Sequence, residues 1–365
     1  MQGINKKYRL IAFYLPQFHP TPDNDNWWGK GFTEWVNVAA ARPLFKGHKQ
    51  PKLPADLGFY DLRLSETRQA QAEMAARHGI EGFCYWHYWF GNGKRLLERP
   101  FNEVLQSGTP NFPFCLGWAN HSWYAKKWDP GTPDKLLIKQ QYSGITDYER
   151  HFNEMLPAFK DKRYIKVEGK LFFLIFAPLD NTREIKSFME TWQNLAHENG
   201  LVGFYFVGQG DRKHRKEIMN LGFNAFQDSS LYGISKNASM YRRFTRKVKR
   251  LLFHTIGKVY DYSTVMSTLQ SPDYADIDFI PTIYSNWDHT PRSKERGMVL
   301  TNDTPAMFGH HVRKVLHSIK DKPEQLRIAM IKSWNEWGEG NYLEPDREYG
   351  TQRLEELQKA IEAEA

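Results

Sequence analysis

Eight short apolar runs, separated by helical or polar segments, punctuate the 365 residues, and this alternation constrains the fold more than any other feature. The runs cover 8–14, 80–90, 112–118, 171–177, 203–207, a stretch around 224–227, 278–284 and 328–331. Between them, apolar residues recur at helical spacing over 65–78, 94–106, 148–159, 182–198, 212–221 and 305–319, with a last helix at 352–362. Repetition of this kind predicts an α/β fold, and eight repeats predict one (β/α)8 TIM barrel with long strand-end loops, spanning 1–365 as a single domain. A doubly wound sheet is the alternative, but it usually carries a glycine-rich turn after its first strand. The turn here is Leu15-Pro16-Gln17-Phe18-His19.

In such a barrel every strand ends on one face, where the loops build the site. The strand ends of this chain are polar and aromatic. The first run leads into a long loop with Trp27, Trp28 and Trp35, and the second ends in Tyr85-Trp86-His87-Tyr88-Trp89. The third ends in Trp118-Ala119-Asn120-His121, the seventh in Ser285-Asn286-Trp287-Asp288-His289, and the eighth in Ser333-Trp334-Asn335-Glu336-Trp337-Gly338-Glu339-Gly340. Convergence predicts one bowl lined by Tyr14, His19, Trp35, Tyr85, His87, Trp89, Trp118, Asn120, Trp287, Asp288, Glu336 and Glu339, with Trp334, Asn335, Trp337 and Glu344 around the last tip. Carboxylates, a few His and Asn for hydroxyls, and aromatic faces for stacking describe a carbohydrate site. The chain's 12 Trp and 18 Tyr exceed what core packing needs. Each aromatic taken singly is equally readable as a packed barrel residue; their gathering at strand ends favours a site.

Glycoside hydrolysis needs a proton donor at the leaving oxygen and a second carboxylate for the developing cation. Glu336 and Glu339, three apart at a strand end, meet that need. Burial and mutual repulsion are expected to keep one of them protonated. Glu339 is the expected general acid/base and Glu336 the second carboxylate, with the reverse order open. No metal or cofactor is expected.

The pieces Tyr14-Leu15-Pro16-Gln17-Phe18-His19-Pro20, Trp28-Gly29-Lys30-Gly31-Phe32-Thr33-Glu34-Trp35, Gly82-Phe83-Cys84-Tyr85-Trp86-His87-Tyr88-Trp89 and Trp334-Asn335-Glu336-Trp337-Gly338-Glu339-Gly340 together resemble the WbsX family of bacterial O-antigen and capsule clusters, which is similar to glycoside hydrolase family 99. The resemblance implies a catalytic (β/α)8 barrel and retaining, endo-acting, metal-independent cleavage of α-mannosides. It also implies that Glu336 deprotonates the sugar 2-hydroxyl, which attacks the anomeric carbon to give an anhydro sugar, and that Glu339 is the general acid/base. The chain has Gly338 where family 99 has His, and its Asn341-Tyr342-Leu343-Glu344-Pro345 tail is typical of WbsX members. The lost His bears on substrate identity more than on mechanism.

WbsX members are commonly labelled glycosyltransferases, so transfer in O-antigen or capsular polysaccharide synthesis is the alternative. Two D-x-D patterns, Asp23-Asn24-Asp25 and Asp276-Ile277-Asp278, fit a metal-nucleotide site in letters, but neither is at a strand tip. A non-catalytic sugar-binding protein is disfavoured, since it has no need of a self-repelling carboxylate pair.

The net charge of +8 is concentrated: Tyr241 to Lys258 holds seven cations and no acid, which leaves +1 for the remainder. That argues against nucleic acid as a partner. Apolar residues at helical spacing within Arg242–Val259 allow a basic amphipathic helix on an anionic membrane, or simply a solvated helix face. Cys84 and Cys115 lie in apolar runs as small hydrophobes. Met1 to Arg9 shows no signal peptide and no run approaches the ~20 apolar residues of a membrane span, so the expected setting is cytoplasmic.

Overall fold

The computed structural model describes residues 7–125, 134–231 and 258–364; of the basic stretch Arg242–Val259, all but the last two residues lie outside them. Eight parallel strand positions form the barrel: β1 Arg9–Tyr14, β2 Gly82–Trp89, β3 Phe114–Trp118, β4 Lys170–Ile175, β5 Phe204–Gly210, β6 Ala225–Asp228, β7 in two pieces, Phe279–Ile280 and Thr282–Tyr284, and β8 Ile328–Lys332. Hydrogen-bonded neighbours run β1 to β6 in order, and β1 also pairs with β8. Closure falls to β7. Its first piece pairs with β6 and its second with β8, so the strand bridges the seam. Pro281 marks the break because it has no N–H to give the ladder, while its carbonyl accepts from Met330 N at 3.0 Å.

Helices Ser65–Arg77, Ile145–Phe159, Thr182–Glu198, Pro305–Ile319 and Gln352–Ala363 cover the outside. Outward side chains of β4 and β5 interlock with helix Thr182–Glu198 in an aromatic layer in which Trp192 lies 4.8 Å from Phe173 and 5.2 Å from Phe204. Cys84 and Cys115 are register partners on β2 and β3, both buried and free. Gly82, where β2 begins, permits close strand packing: a Cβ there would lie 2.4 Å from the Pro113 carbonyl oxygen.

Three departures from the sequence reading concern the loops. The helix expected over 94–106 is shorter, Arg99–Ser107, because Arg95–Leu96 first turns back as an antiparallel strand on β2. The long first loop contains two short helices, Pro22–Trp28 and Glu34–Ala40, capped by the hydroxyls of Thr21 and Thr33. After β3 a hairpin rises, Trp123–Ala125 paired with Lys135–Ile138. All three loops stand at the C-terminal mouth of the barrel. Among the described residues no helix is long and apolar enough to cross a membrane.

Candidate active site

β8 is buried along its whole length and delivers the chain to a tight turn. Asn335–Glu336 pairs antiparallel with Asn341–Tyr342, and Trp337–Glu339 makes the turn between them. Gly340 closes it at φ 57°, pressed so near the Asp288 backbone that a Cβ would lie 2.6 Å from its carbonyl oxygen. The Asn335 amide accepts from Leu15 N at 2.7 Å and donates to Leu15 O at 3.1 Å, which locks the turn to the end of β1. Ser333 Oγ accepts from Glu336 N at 2.9 Å and donates to Asn341 O at 2.7 Å.

The turn aims both glutamates into a cavity of about 610 Å³. Glu336 lies at its base. Trp86 Nε1 donates to its Oε1 at 2.7 Å and Lys332 Nζ to its Oε2 at 3.1 Å. The Lys332 ammonium also sits 5.6 Å and 5.7 Å from the stacked rings of Phe13 and Trp86. Glu339 is held by Arg292, whose Nη1 donates to Oε1 at 2.7 Å, with His289 Nε2 3.7 Å away. Asn341 Nδ2 spans the pair, 3.4 Å from Glu336 Oε2 and 3.2 Å from Glu339 Oε2. The shared donor keeps those two oxygens no further apart than the lower end of the separations at which an inverting enzyme fits a water.

Three carboxylates, Glu34, Glu336 and Glu339, thus face two cations, Lys332 and Arg292, around the cavity. One proton is in demand. Burial pushes the Glu336 carboxyl up; Lys332 opposes this and the charge of Glu339 adds to it. Burial acts on Glu339 as well, but Arg292, His289 and Lys332 outweigh it and hold this carboxyl well below its ordinary range. Of the two carboxyls, Glu336 is the one whose surroundings favour a proton. Burial disfavours charge on Lys332 too, and Glu336 and Glu339 more than compensate. Trp28, Phe32, Tyr88, Trp123 and Tyr124 give the same cavity an aromatic wall.

Of the sixteen residues expected around the bowl, the cavity is lined by Glu336 and Glu339. The others are placed elsewhere, and at four tips the miss is a single residue. Leu15 faces the cavity where Tyr14 was expected, Trp86 and Tyr88 where Tyr85, His87 and Trp89 were, His121 for Asn120, and His289 for Asp288. Successive strand residues point to opposite faces, so along β2 the expectation took the outward face.

The outward residues are structural. Tyr85 packs on Tyr14 at 4.5 Å, His87 Nε2 lies 2.6 Å from His151 Nε2, and Trp89 Nε1 donates to Asp147 at 3.1 Å. Trp118 Nε1 donates to Trp89 O at 2.9 Å, and Asn120 bonds the Ala177 backbone at 2.7 and 2.9 Å. Asp288 accepts from Gln50 at 2.6 Å, lies 2.8 Å from His48 Nε2 and binds the Thr290 hydroxyl at 2.6 Å. Trp287 belongs to a small buried cluster with Tyr262 and Leu300. His19 and Trp334 are buried.

A second buried glutamate underpins the turn. Glu344 accepts from Trp337 Nε1 at 2.6 Å, Gln71 Nε2 at 2.6 Å and Tyr60 OH at 2.8 Å. Tyr14 OH donates to Gln71 and Trp35 Nε1 to Tyr60 O, so both support the same assembly.

Sequence reasoning passed over Lys332, Arg292, Glu34, Trp86 and Trp123 as site residues. A lone cation ending an otherwise apolar strand was a readable signal for Lys332. Nothing in the local pattern marked Arg292. The D-x-D aspartates are engaged elsewhere: Asp25 accepts from Gly31 N at 2.8 Å, Asp23 pairs with Lys94 at 3.2 Å, and Asp276 and Asp278 each bind Arg215 at 2.6 Å. Among the described residues no group of three or more His, Cys, Asp or Glu side chains converges as metal ligands would.

A family model described as glycosyltransferase WbsX matches residues 10–357. The proteins named WxcX from two strains of Xanthomonas campestris pv. campestris, B100 and ATCC 33913, are each 34% identical over 353 residues, 96% of this chain and 49% of theirs. The chain spans about half the length of these curated relatives. Among solved structures, a glycoside hydrolase-like protein matches with TM-score 0.58 and 14% identity over 98% of this chain and 95% of its own. The GH99 endo-alpha-mannosidase from Bacteroides thetaiotaomicron matches with TM-score 0.58 and 12% identity over 98% and 97%. At such identities the likeness is one of fold.

Proposed function

The chain belongs to the WbsX glycosyltransferase family, and from that premise we propose that it is a carbohydrate-active enzyme, a retaining, endo-acting glycosidase of α-mannoside-like linkages in bacterial polysaccharide. The observation that carries the reading is the buried pair Glu336 and Glu339, joined through Asn341 in the mouth of a glycosidase-like barrel.

In this scheme Glu336 takes the proton of the sugar 2-hydroxyl. The 2-oxygen attacks the anomeric carbon, the glycosidic C–O bond breaks, and the leaving oxygen receives the proton of Glu339. A water or sugar hydroxyl then opens the anhydro ring, giving its proton to Glu339, while Glu336 returns its proton to the 2-oxygen. Two inversions give retention. Trp86 and Lys332 stabilise charge on Glu336 in both steps. Burial favours a proton on Glu336 and Arg292 disfavours one on Glu339, so the scheme works from the less favoured placement, with the proton on Glu339. A bell-shaped pH profile has the same form for either placement.

The test compares wild type with Glu336→Gln and Glu339→Gln on α-mannan and bacterial polysaccharide fragments, with and without sugar nucleotides and EDTA. EDTA-resistant release of reducing ends, lost in both variants, is the expected result. Transfer that requires a nucleotide donor and survives both substitutions would replace this reading with the glycosyltransferase one that the family description favours.

A further inference from the structure

Glu339 shares its arginine. The Arg292 guanidinium donates through Nη1 to Glu339 Oε1 at 2.7 Å and through Nε to Glu34 Oε2 at 3.0 Å, one edge to each carboxylate. Three segments remote in sequence meet here. Glu34 opens helix Glu34–Ala40, Arg292 lies in the short helix Thr290–Ser293 beyond β7, and Glu339 ends the turn beyond β8.

Gly338 runs directly across the ion pair. A Cβ at this position would lie 2.0 Å from Glu34 Oε2 and 2.9 Å from Arg292 Nε. Its φ is not among the positive ones, so the demand for glycine is one of space. The pair and the missing side chain are a single arrangement: the volume that a larger residue would take is filled by Glu34 and Arg292.

A guanidinium bound to one carboxylate by two parallel hydrogen bonds holds it ionised and immobile. That is the wrong state for a group that must gain and lose a proton. Division between two carboxylates weakens the grip on each. Glu34 is the better anchored, its side chain 4% exposed against 15% for Glu339. Burial works against the charge of Arg292, but Glu34 and Glu339 more than offset it, so the guanidinium stays protonated.

We propose that Glu34 and Arg292 are a positioning pair for Glu339: Glu34 anchors the guanidinium so that Arg292 gives Glu339 one hydrogen bond rather than two and Glu339 can exchange its proton with substrate, and Gly338 is the opening through which the pair reaches it. The inference rests on Glu339 being the acid/base of this site. Around Glu339 stand Arg292, His289, Lys332, Glu336 and Asn341, with Glu34 behind Arg292.

The test needs no substrate. In protein carrying carboxyl-labelled glutamate, the Glu339 carbon resonance is assigned by its loss in Glu339→Gln and followed against pH. Glu34→Gln, which frees Arg292 to turn wholly to Glu339, is expected to move this titration to lower pH; Arg292→Gln is expected to move it up. Where wild type cleaves polysaccharide fragments, the limb of the rate profile that coincides with the Glu339 titration moves with it in each variant, whereas a merely structural loss lowers the rate at every pH. Should either variant fail to fold, Glu34→Asp and Arg292→Lys keep the charge but shorten the reach, and displacements in the same two directions are expected. An unmoved Glu339 titration in folded variants of both residues overturns the proposal. Absence of any polysaccharide cleavage would overturn the functional reading alone, since the titration still reads the coupling.

Discussion

Lys332→Met removes the ammonium that contacts Glu336 and leaves a carboxylate at the base of the cavity with Trp86 as donor. Both side chains of the pair are 5% exposed. At that burial, deleting one partner costs about 3–5 kcal/mol, because the survivor is left charged and desolvated. Methionine still fills the space beside the stacked rings of Phe13 and Trp86, so lost packing contributes little. Glu336 can escape the penalty by taking up a proton, which makes the cost depend on pH. Burial already raises its folded pKa, and loss of Lys332 raises it further. A carboxyl whose folded pKa exceeds its unfolded value of roughly 4.3 binds more protons when folded. The deficit is therefore absent below the unfolded pKa, grows as pH rises, and is complete above the folded pKa. Urea unfolding followed by tryptophan fluorescence near pH 5 and near pH 8 measures it, with midpoints compared where the slopes agree. The double variant Lys332→Met/Glu336→Gln removes both charges and is expected within about 2 kcal/mol of wild type at either pH. A single variant less than about 1 kcal/mol below wild type near pH 8, or an equal loss in the double variant, would refute the electrostatic account of this pair.

Two further perturbations probe the shell and the wall of the site. Burial holds His87 and His151 well below the ordinary imidazole pKa and takes His311 to about 3. Their depressed values contribute stability above the unfolded value of about 6.5 that is lost as pH falls below it; His151→Phe is expected to flatten the decline in urea midpoint between neutral and mildly acid pH, and an unchanged slope would contradict this. Trp123, edge-on to Tyr88 at 5.0 Å in the aromatic wall, is expected to stack on sugar, so Trp123→Ala should raise KM about fivefold, roughly 1 kcal/mol, with kcat nearly kept. A fall in kcat with KM unmoved would place this residue in the chemistry instead.

The barrel was legible because its signals are local. Helices Thr182–Glu198 and Pro305–Ile319 fall at the bounds read from sequence, since Asn181 caps the first, and Thr304 with Pro305 starts the second. The broken β7 was less so. Pro281 sits in an unbroken apolar run, and only the pairing of its two flanks with different neighbours shows that the strand spans the seam. Cap signals were present before Pro22–Trp28 and Glu34–Ala40 as well, yet helices of seven residues carry too little periodicity to stand out from a loop.

The face of each strand was not legible, and β2 shows why. All eight of its positions are buried, so no polar alternation separates the side toward the cavity from the side toward the helices. Aromatic richness then misleads. A buried indole usually places its N–H on an acceptor, and Trp35, Trp89, Trp118 and Trp337 each do so within the scaffold. Trp86 follows the same rule with Glu336 as acceptor. Glutamate beside tryptophan is thus no mark of a site in itself: Glu344, which takes three donors and is pushed up to about 7, is as buried as Glu336. The difference lies in what completes each shell. Tyr60, Gln71 and Trp337 complete that of Glu344 from inside the fold, whereas Glu336 balances its charge against Lys332 and opens onto a cavity it shares with a second carboxylate. Tyr60 and Gln71 reach Glu344 across 284 and 273 residues of chain and Trp86 reaches Glu336 across 250, and barrel closure brings them together.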